Sequence, residues 1–170
     1  MTRILLTGIS GVGKSTLIEA LAVRGERAVD LDGDEYSEWV EVGDDDATPG
    51  SPVEPDCDWA WRADRVADLL GRDKDGVLFV SGCAANMGQF LDSFDRVILL
   101  SAPEAVITHR LATRSTNQYG KTTEQAARVL DLKRTVEPLL RRTADREIDT
   151  DRPLDEVLAR VTGVARDAVG

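Results

Sequence analysis

The residues best able to do chemistry lie close to the start of the chain. Residues 8–15 read Gly-Ile-Ser-Gly-Val-Gly-Lys-Ser, the spacing of a G-x-x-x-x-G-K-S phosphate-binding loop. Glycines in such a loop let backbone N–H groups converge on phosphate oxygens, and Lys14 adds a point charge for the β- and γ-phosphates, which predicts a catalytic role for it. The pattern predicts a nucleoside triphosphate site formed by Gly8, Ser10, Gly11, Val12, Gly13, Lys14, Ser15 and Thr16.

The hydroxyl of Ser15 predicts a magnesium site, which needs a carboxylate nearby. Phosphoryl transfer uses Mg²⁺, usually held by the loop hydroxyl and steered by a carboxylate at the end of a strand. Motor ATPases and GTPases place that aspartate after a long apolar strand. Here the apolar runs 77–80 and 97–100 lead into Ser81 and Ser101 instead. The difference argues against a motor ATPase or a GTPase and favours a small-molecule kinase.

The remaining candidate carboxylates lie in Leu31-Asp32-Gly33-Asp34, directly after a short apolar run. We predict that Asp32 contacts Mg²⁺ through water. We predict that Asp34 orients the hydroxyl of an acceptor or takes its proton. An Asx turn that caps a helix is the structural alternative for the same residues.

Apolar runs alternate with helical patterns along the whole chain. This alternation predicts an α/β fold with a parallel sheet and helices on both of its faces, so that ligands bind beyond the carboxyl ends of the strands. A stretch rich in Gly, Pro and Asp, residues 42–57, predicts a loop. The predicted strands are 3–7, 28–31, 77–81, 97–100 and 147–149, and the predicted helices are 14–24, 58–71, 87–93, 103–114, 123–142 and 153–168.

Composition narrows the classes of partner. The formal net charge of −10 over 170 residues disfavours nucleic acid and anionic membranes as partners. The two cysteines, Cys57 and Cys83, have no metal-ligand spacing and cannot form a disulfide framework, which is typical of a reducing cytosol. No apolar run is long enough to span a membrane. These features predict a cytoplasmic protein, either a monomer or a homodimer, that acts on a small-molecule acceptor.

The order of the motifs resembles small P-loop kinases of the gluconate, shikimate and adenylate kinase type. The phosphate loop and the Asp-Gly-Asp motif are followed by His109-Arg110-Leu111-Ala112-Thr113-Arg114 and then by Ile148-Asp149-Thr150-Asp151-Arg152-Pro153-Leu154. The resemblance implies a three-layer fold with a five-stranded parallel sheet, ATP and Mg²⁺ as ligands, and a small mobile lid at about 114–123. It implies one P-loop kinase domain over residues 1–170, with acceptor binding at about 33–75.

The same resemblance implies roles for three further residues. Arg110 would stack on the adenine ring, and the turn at Pro153 would brush the same ring. Arg114 would act in catalysis by meeting the transferring phosphate, since a guanidinium suits the spread negative charge of that transition state.

The acceptor region is unusually acidic. Residues 28–61 contain twelve acidic residues and no Lys or Arg. A phosphorylated or carboxylated acceptor normally needs basic residues, so this stretch predicts a neutral or cationic acceptor. The open alternative is that the acidic residues form a solvated loop that faces away from the site.

Aromatic and polar residues of the same region are further candidates for acceptor binding. Trp39 and Trp61 could stack on a ring, with packing in the core as the structural alternative for each tryptophan. Trp59-Ala60-Trp61-Arg62 is predicted to open a helix. Arg62 could bind an anionic acceptor after all. Asn86 follows the third predicted strand, where members of the resembling family touch the acceptor.

These patterns predict an ATP-dependent phosphotransferase that moves the γ-phosphate to a hydroxyl of a small neutral or cationic molecule. A nucleoside or nucleotide kinase is an alternative, supported by Arg62 and the tryptophans. A nucleotide-binding regulatory module with slow ATPase activity is an alternative of another class.

Overall fold

The computed structural model describes residues 1–43, 51, 53–54, 56–72, 75–115 and 119–169. Parts of the predicted 42–57 loop and of the predicted lid (residues 44–50, 52, 55 and 116–118) lie outside the described residues. Seven strands are described: β1 (Thr2–Thr7), β2 (Arg27–Asp30), β3 (Ser37–Glu41), β4 (Cys57–Trp61), β5 (Val77–Ser81), β6 (Arg96–Ser101) and β7 (Arg146–Asp149). The helices are α1 (Lys14–Val23), α2 (Ala63–Gly71), α3 (Glu104–Thr113), α4 (Thr123–Thr135), α5 (Glu137–Thr143), α6 (Leu154–Val169) and a 3-10 helix (Met87–Ser93).

Five parallel strands form the central sheet in the order β2-β5-β1-β6-β7. Successive side chains of β1 point to opposite faces, and both faces are covered. Ile4 and Leu6 belong to the core cluster shared with α1, α3 and α6, whereas Leu5 belongs to the cluster shared with α2, α5 and the 3-10 helix. All three residues are fully buried, as expected for a parallel sheet covered on both faces. The predicted α/β fold with helices on both faces is confirmed.

A hairpin outside the central sheet corrects the predicted helix 58–71. Residues 57–61 form β4, which pairs antiparallel with β3, and the helix begins only at Ala63. The tryptophans at 59 and 61 follow the two-residue period of a strand. Trp39 lies directly opposite Trp59, with their ring centroids 5.0 Å apart in an edge-to-face contact. Such cross-strand aromatic pairs stabilise a two-stranded hairpin.

The predicted helix 123–142 is two helices that meet at Val136. Pro138 lacks the N–H that would donate to the carbonyl of Arg134, and its ring crowds that carbonyl, so a continuous helix is broken here. The predicted helix at 87–93 is a 3-10 helix. Of the helices in the described part of the chain, none is long and apolar enough to cross a lipid bilayer.

Candidate active site

The phosphate loop connects β1 to α1 in the geometry that its glycines allow. Gly11 and Gly13 adopt φ angles of +88° and +99°, where a side chain would be strained. A Cβ on Gly8 would stand 2.5 Å from the carbonyl oxygen of Leu100 at the end of β6. The loop leads directly into the N-terminus of α1, which favours an anion. Glycine is therefore favoured at Gly11 and Gly13 by the backbone angle, and at Gly8 by the lack of space for a side chain.

Lys14 is buried between the loop and the end of β2. Its Nζ donates to the carbonyl oxygen of Gly8 at 2.8 Å and lies 3.2 Å from Oδ2 of Asp32. Burial lowers the pKa of Lys14, but the negative charge of Asp32 and its neighbours outweighs this effect and raises it overall. Burial also raises the pKa of Asp32, against the opposing effect of Lys14. The two side chains form an ion pair largely withdrawn from water.

Asp30 is a site residue that the sequence analysis missed. Its Oδ2 accepts a hydrogen bond from Ser15 Oγ at 2.6 Å, and its Oδ1 accepts from Ser81 Oγ at 2.9 Å and from the backbone N–H of Asp32 at 3.1 Å. Asp30 is the last residue of β2, so its position at a carboxyl strand end was the available signal.

The oxygen atoms around Ser15 suit a hard divalent cation. Ser15 and Asp30 bring a hydroxyl and a carboxylate together, and Asp32 lies next to them. In the described residues, no group of three or more His, Cys, Asp and Glu side chains could hold a metal ion alone. This donor set fits Mg²⁺, which keeps several waters and uses one or two carboxylates plus substrate phosphates.

A cavity of about 340 Å³ lies over the loop, and two predicted arginines border it. Arg110 donates to the hydroxyl oxygen of Thr150 at 2.9 Å and to the carbonyl oxygen of Thr150 at 2.7 Å. It also donates to the carbonyl oxygen of Val12 at 3.3 Å. Arg114 donates to Ser10 Oγ at 3.2 Å and to the backbone carbonyl of Tyr119. Partial burial lowers the pKa of Arg114, which stays charged at neutral pH. Both arginines thus contact the phosphate loop.

Two residues predicted to bind the nucleotide, Gly8 and Pro153, do not line this cavity. Leu154 and Arg152 line it, together with Thr16, whereas the exposed Pro153 does not. Leu154 is 43% exposed, which is high for a leucine. Leu154, the residue after the proline, therefore provides the apolar surface of this turn in the cavity.

A second cavity of about 680 Å³ meets the first at Ser10, Lys14 and Asp32, which border both. Its polar end is formed by these residues and Asp34. The hairpin contributes Trp39 and Trp59. The other walls are mostly apolar and comprise Ile9, Val53, Cys83, Ala84, Ala85, Met87, Leu91, Tyr119, Leu132, Val136, Leu139 and Leu140, with Ser51, Gly88 and Thr143.

Two of the predicted acceptor residues line this cavity. Asp34 is exposed on its wall, and Trp39 is 49% exposed beside it. Trp61, in contrast, is 2% exposed and packs against Phe90 with ring centroids 5.7 Å apart. Trp61 belongs to the core cluster that includes Val66, Leu70 and Phe90, so the structure does not bring it to the cavity. Trp59, which the sequence did not single out as a ligand contact, takes its place.

Arg62 and Asn86 are likewise held away from the cavity. Arg62 forms an ion pair with Glu38, with Nη1 and Oε2 3.0 Å apart. The Asn86 side chain accepts from the backbone N–H of Trp61 and donates to the carbonyl oxygen of Trp61, both at 2.8 Å. Asn86 thereby ties β4 to the segment after β5, which is a structural role.

The comparisons with known proteins agree with this fold and loop. The AAA domain family matches residues 4–131. A dephospho-CoA kinase from Corynebacterium glutamicum is 31% identical over 167 residues, covering 95% of this chain and 72% of the relative. A shikimate kinase from Acinetobacter baumannii in complex with shikimate has a TM-score of 0.61 at 19% identity, covering 99% of this chain and 93% of its own.

Two further solved structures share the fold at low identity. A gluconokinase from Sinorhizobium meliloti has a TM-score of 0.52 at 18% identity, covering 98% of this chain and 94% of its own. A shikimate kinase from Bacteroides thetaiotaomicron has a TM-score of 0.58 at 17% identity, covering 97% and 98%. The chain belongs to the AAA domain family and, within the P-loop proteins, to the small P-loop kinases. The predicted resemblance to these kinases is confirmed.

Proposed function

We propose that the protein transfers the γ-phosphate of ATP to a hydroxyl of a small neutral or cationic molecule. The observation that carries the proposal is the meeting of two cavities at Lys14 and Asp32, one over the phosphate loop and one beside the hairpin. A kinase needs this arrangement, because donor phosphate and acceptor hydroxyl must approach each other in line.

On the donor side, the loop amides and Lys14 bind the phosphates of ATP. Ser15 and Asp30 would hold Mg²⁺, with Asp32 contacting it through water. The ion, when bound, neutralises charge on the phosphate oxygens. Arg114 already contacts the loop through Ser10 and can stabilise the negative charge that spreads over the transferred group.

On the acceptor side, we propose Asp32 as the carboxylate that orients the hydroxyl. Its Oδ2 lies at the junction of the cavities, 3.2 Å from the ammonium group that binds the phosphates. The acceptor oxygen forms a bond to the γ-phosphorus, the bond from that phosphorus to the β–γ bridging oxygen breaks, and ADP leaves. The hydroxyl proton passes to the carboxylate. Asp34, the residue proposed from sequence, lines the same cavity, is exposed, and remains the competing candidate.

The charge of the cavity supports a neutral or cationic acceptor. Shikimate and gluconate are carboxylates, and dephospho-CoA carries phosphates. In this chain, the described residues that line the acceptor cavity include two aspartates and one basic residue, Lys14, which is already paired with Asp32. Arg62, the cation that favoured a nucleotide acceptor, is paired with Glu38 outside the cavity.

Transfer of ³²P from γ-labelled ATP tests the proposal. Release of ADP should be slow with ATP and Mg²⁺ alone and should rise when an uncharged or amine-bearing alcohol is added, with the label recovered on the alcohol. A regulatory ATPase would instead release labelled inorganic phosphate at a rate that no alcohol changes, and that result would refute the kinase proposal. Lys14→Ala serves as the control for contaminating activity.

A further inference from the structure

The proposed acceptor cavity is large, and most of the residues that line it are apolar. Its volume of about 680 Å³ lies within the range for drug-sized ligands. The charged residues of its lining are Lys14, Asp32 and Asp34, and the first two stand 3.2 Å apart at the end where it meets the first cavity. Away from that end, the walls are supplied by hydrophobic residues of the hairpin, of the segment after β5, and of α4 and α5. The other polar side chains of the lining are those of Ser10, Ser51, Tyr119 and Thr143, so most of a ligand that fills this space meets apolar walls.

Aromatic surface lines the side formed by the hairpin. Trp39 and Trp59 contact each other edge to face at an interplanar angle of 60°, and both border the cavity. On the side formed by the helices stand Leu132, Val136 and Leu139, of which Leu139 is 37% exposed. Exposed tryptophan and leucine around one cavity favour a ligand with a ring or another flat apolar body.

Partly buried polar contacts hold the part of the wall that Ser51 and Val53 form. Asp58, 3% exposed, accepts from the backbone N–H of Val53 at 2.9 Å and from the hydroxyl of Ser51. Arg128 on α4 donates to the carbonyl oxygen of Val53 at 2.8 Å and to Glu54 at 2.6 Å. Ser51 and Val53 line the cavity, so these contacts join the hairpin to α4 across it.

The charges around the cavity disfavour an anionic body. Arg62 is paired with Glu38, and Arg128 with Glu54, so neither guanidinium is directed at the cavity. Asp34 lines the cavity, and no hydrogen bond or ion pair among the described residues engages its carboxylate, so a ligand amine can approach it. A polyol would also fit poorly, because several of its hydroxyls would lie against apolar walls without partners.

We infer that the acceptor is a ring-bearing hydrophobic alcohol, uncharged or carrying an amine, whose hydroxyl reaches Asp32 while its ring lies against Trp39 and Trp59. The inference rests on the proposed kinase function. It separates this chain from kinases whose acceptors are polyols or carboxylates.

Binding of four small probes tests this inference. Three share a phenyl ring and a hydroxyl but differ in charge: 2-amino-1-phenylethanol, 1-phenyl-1,2-ethanediol and mandelate. The fourth, sorbitol, is a polyol without a ring. Saturation-transfer NMR and quenching of tryptophan fluorescence measure their affinities. We expect the amine and the diol to bind at least about tenfold more tightly than mandelate and sorbitol, since burying a charge or a hydroxyl without a partner costs free energy.

Two variants locate the binding. Trp39→Ala should weaken the amine and the diol several-fold, whereas Val23→Ala, which trims a side chain that is 89% exposed on α1, should leave both unchanged. Equal or tighter binding of mandelate or sorbitol, absence of binding by all four probes, or an unchanged affinity in Trp39→Ala would each overturn the inference.

Phosphate transfer separates this inference from the proposed function. If the phenyl alcohols bind as expected but no γ-phosphate reaches any alcohol, the kinase proposal fails and the ligand class stands. If label is transferred to mandelate or sorbitol in preference to the phenyl amine and diol, the kinase proposal stands and the acceptor class is wrong.

Discussion

The ammonium group of Lys14 and the carboxylate of Asp32 lie 3.2 Å apart where the two cavities meet. Lys14 also donates to the carbonyl oxygen of Gly8, so its charge is compensated before any phosphate arrives. Phosphates that enter the loop compete with Asp32 for Lys14. This competition weakens the ion pair and leaves the Asp32 carboxylate available to the acceptor hydroxyl. One ion pair therefore links the two halves of the proposed reaction.

Asp32 and Asp34 can be separated by a matched pair of variants. Asp32→Asn keeps the shape but removes the charge and the ability to take a proton, so we expect kcat to fall by a factor of about 10²–10⁴. Asp34→Asn should change kcat by less than about tenfold. ADP affinity, measured by calorimetry, should not weaken in Asp32→Asn, because Lys14 loses a competing partner. A larger loss of kcat in Asp34→Asn would restore the assignment made from sequence.

The contact between Ser15 and Asp30 predicts that variants of either residue need more Mg²⁺ for activity. Ser15→Ala and Asp30→Asn should each raise the Mg²⁺ concentration needed for half-maximal activity by about 10–100-fold, since both remove groups proposed to hold or orient the ion. Binding of ADP without Mg²⁺ should change little. Circular dichroism checks the fold of Asp30→Asn, because Asp30 also accepts from Ser81. An unchanged Mg²⁺ dependence in both variants would exclude this pair from the metal site.

The sequence predicts correctly those elements whose structure is decided by neighbouring residues in the chain. The apolar run at residues 77–81 matches β5 residue for residue, because a short hydrophobic stretch bounded by turn residues reads the same in isolation and in the sheet. The phosphate loop is equally local. Residues 58–61 were misread because four residues are too few to distinguish a strand period from a helix start, and pairing with β3 decides the matter.

The site residues divide in the same way. Arg110 and Arg114, placed by motif, do contact the phosphate loop. Asp30 was missed, since its role depends on the distance to Ser15, which only the folded sheet sets. The apolar wall formed by Leu132 and Leu139 could not be read from sequence, because ordinary amphipathic helices carry the same residues.

The link from Arg128 to Val53 and Glu54 should protect the chain at these two residues from proteolysis. Arg128→Gln removes the donor to both, so we expect cleavage next to Val53 and Glu54 to become several-fold faster. Arg134→Gln is the control, because it breaks an exposed ion pair with Glu104 away from the hairpin. Mass spectrometry of the fragments locates the cuts. Equal cleavage rates in the two variants would contradict the proposed link.

The close approach of Gly82 to Trp61 predicts a large effect of one methyl group. A Cβ at Gly82 would lie 2.8 Å from Cζ2 of Trp61, so Gly82→Ala should lower the free energy of unfolding by about 1–3 kcal/mol. Gly163→Ala in α6 is the matched control, because a Cβ there meets no atom within 4 Å. The control should raise the same quantity by about 0.5–1 kcal/mol through helix propensity. Urea unfolding measures both, and a neutral Gly82→Ala would show that Trp61 can shift.

Glu147 and Arg141 predict a pH-dependent contribution to stability. Hydrogen bonds from Arg141 hold the pKa of Glu147 below its usual range. A lowered pKa in the folded state stabilises the protein above the ordinary value of 4.5, and this contribution is lost as the pH falls through the folded-state pKa. Glu147→Gln should therefore cost at most about 1 kcal/mol at pH 7, since both side chains are partly exposed, and progressively less below pH 4.5. A cost that stays constant between pH 7 and pH 3 would contradict this assignment.

Within the described residues, the β3–β4 hairpin shares no strand pairing with the central sheet, although it supplies Trp39 and Trp59 to the proposed acceptor cavity. We therefore expect insertions, deletions or exchanges between residues 37 and 61 to change the acceptor specificity. They should leave the register of the strands beside the phosphate loop unchanged. The same independence makes the hairpin a natural unit for grafting. A chimera that takes this segment from another small P-loop kinase would inherit a different acceptor preference on an unchanged ATP-binding frame.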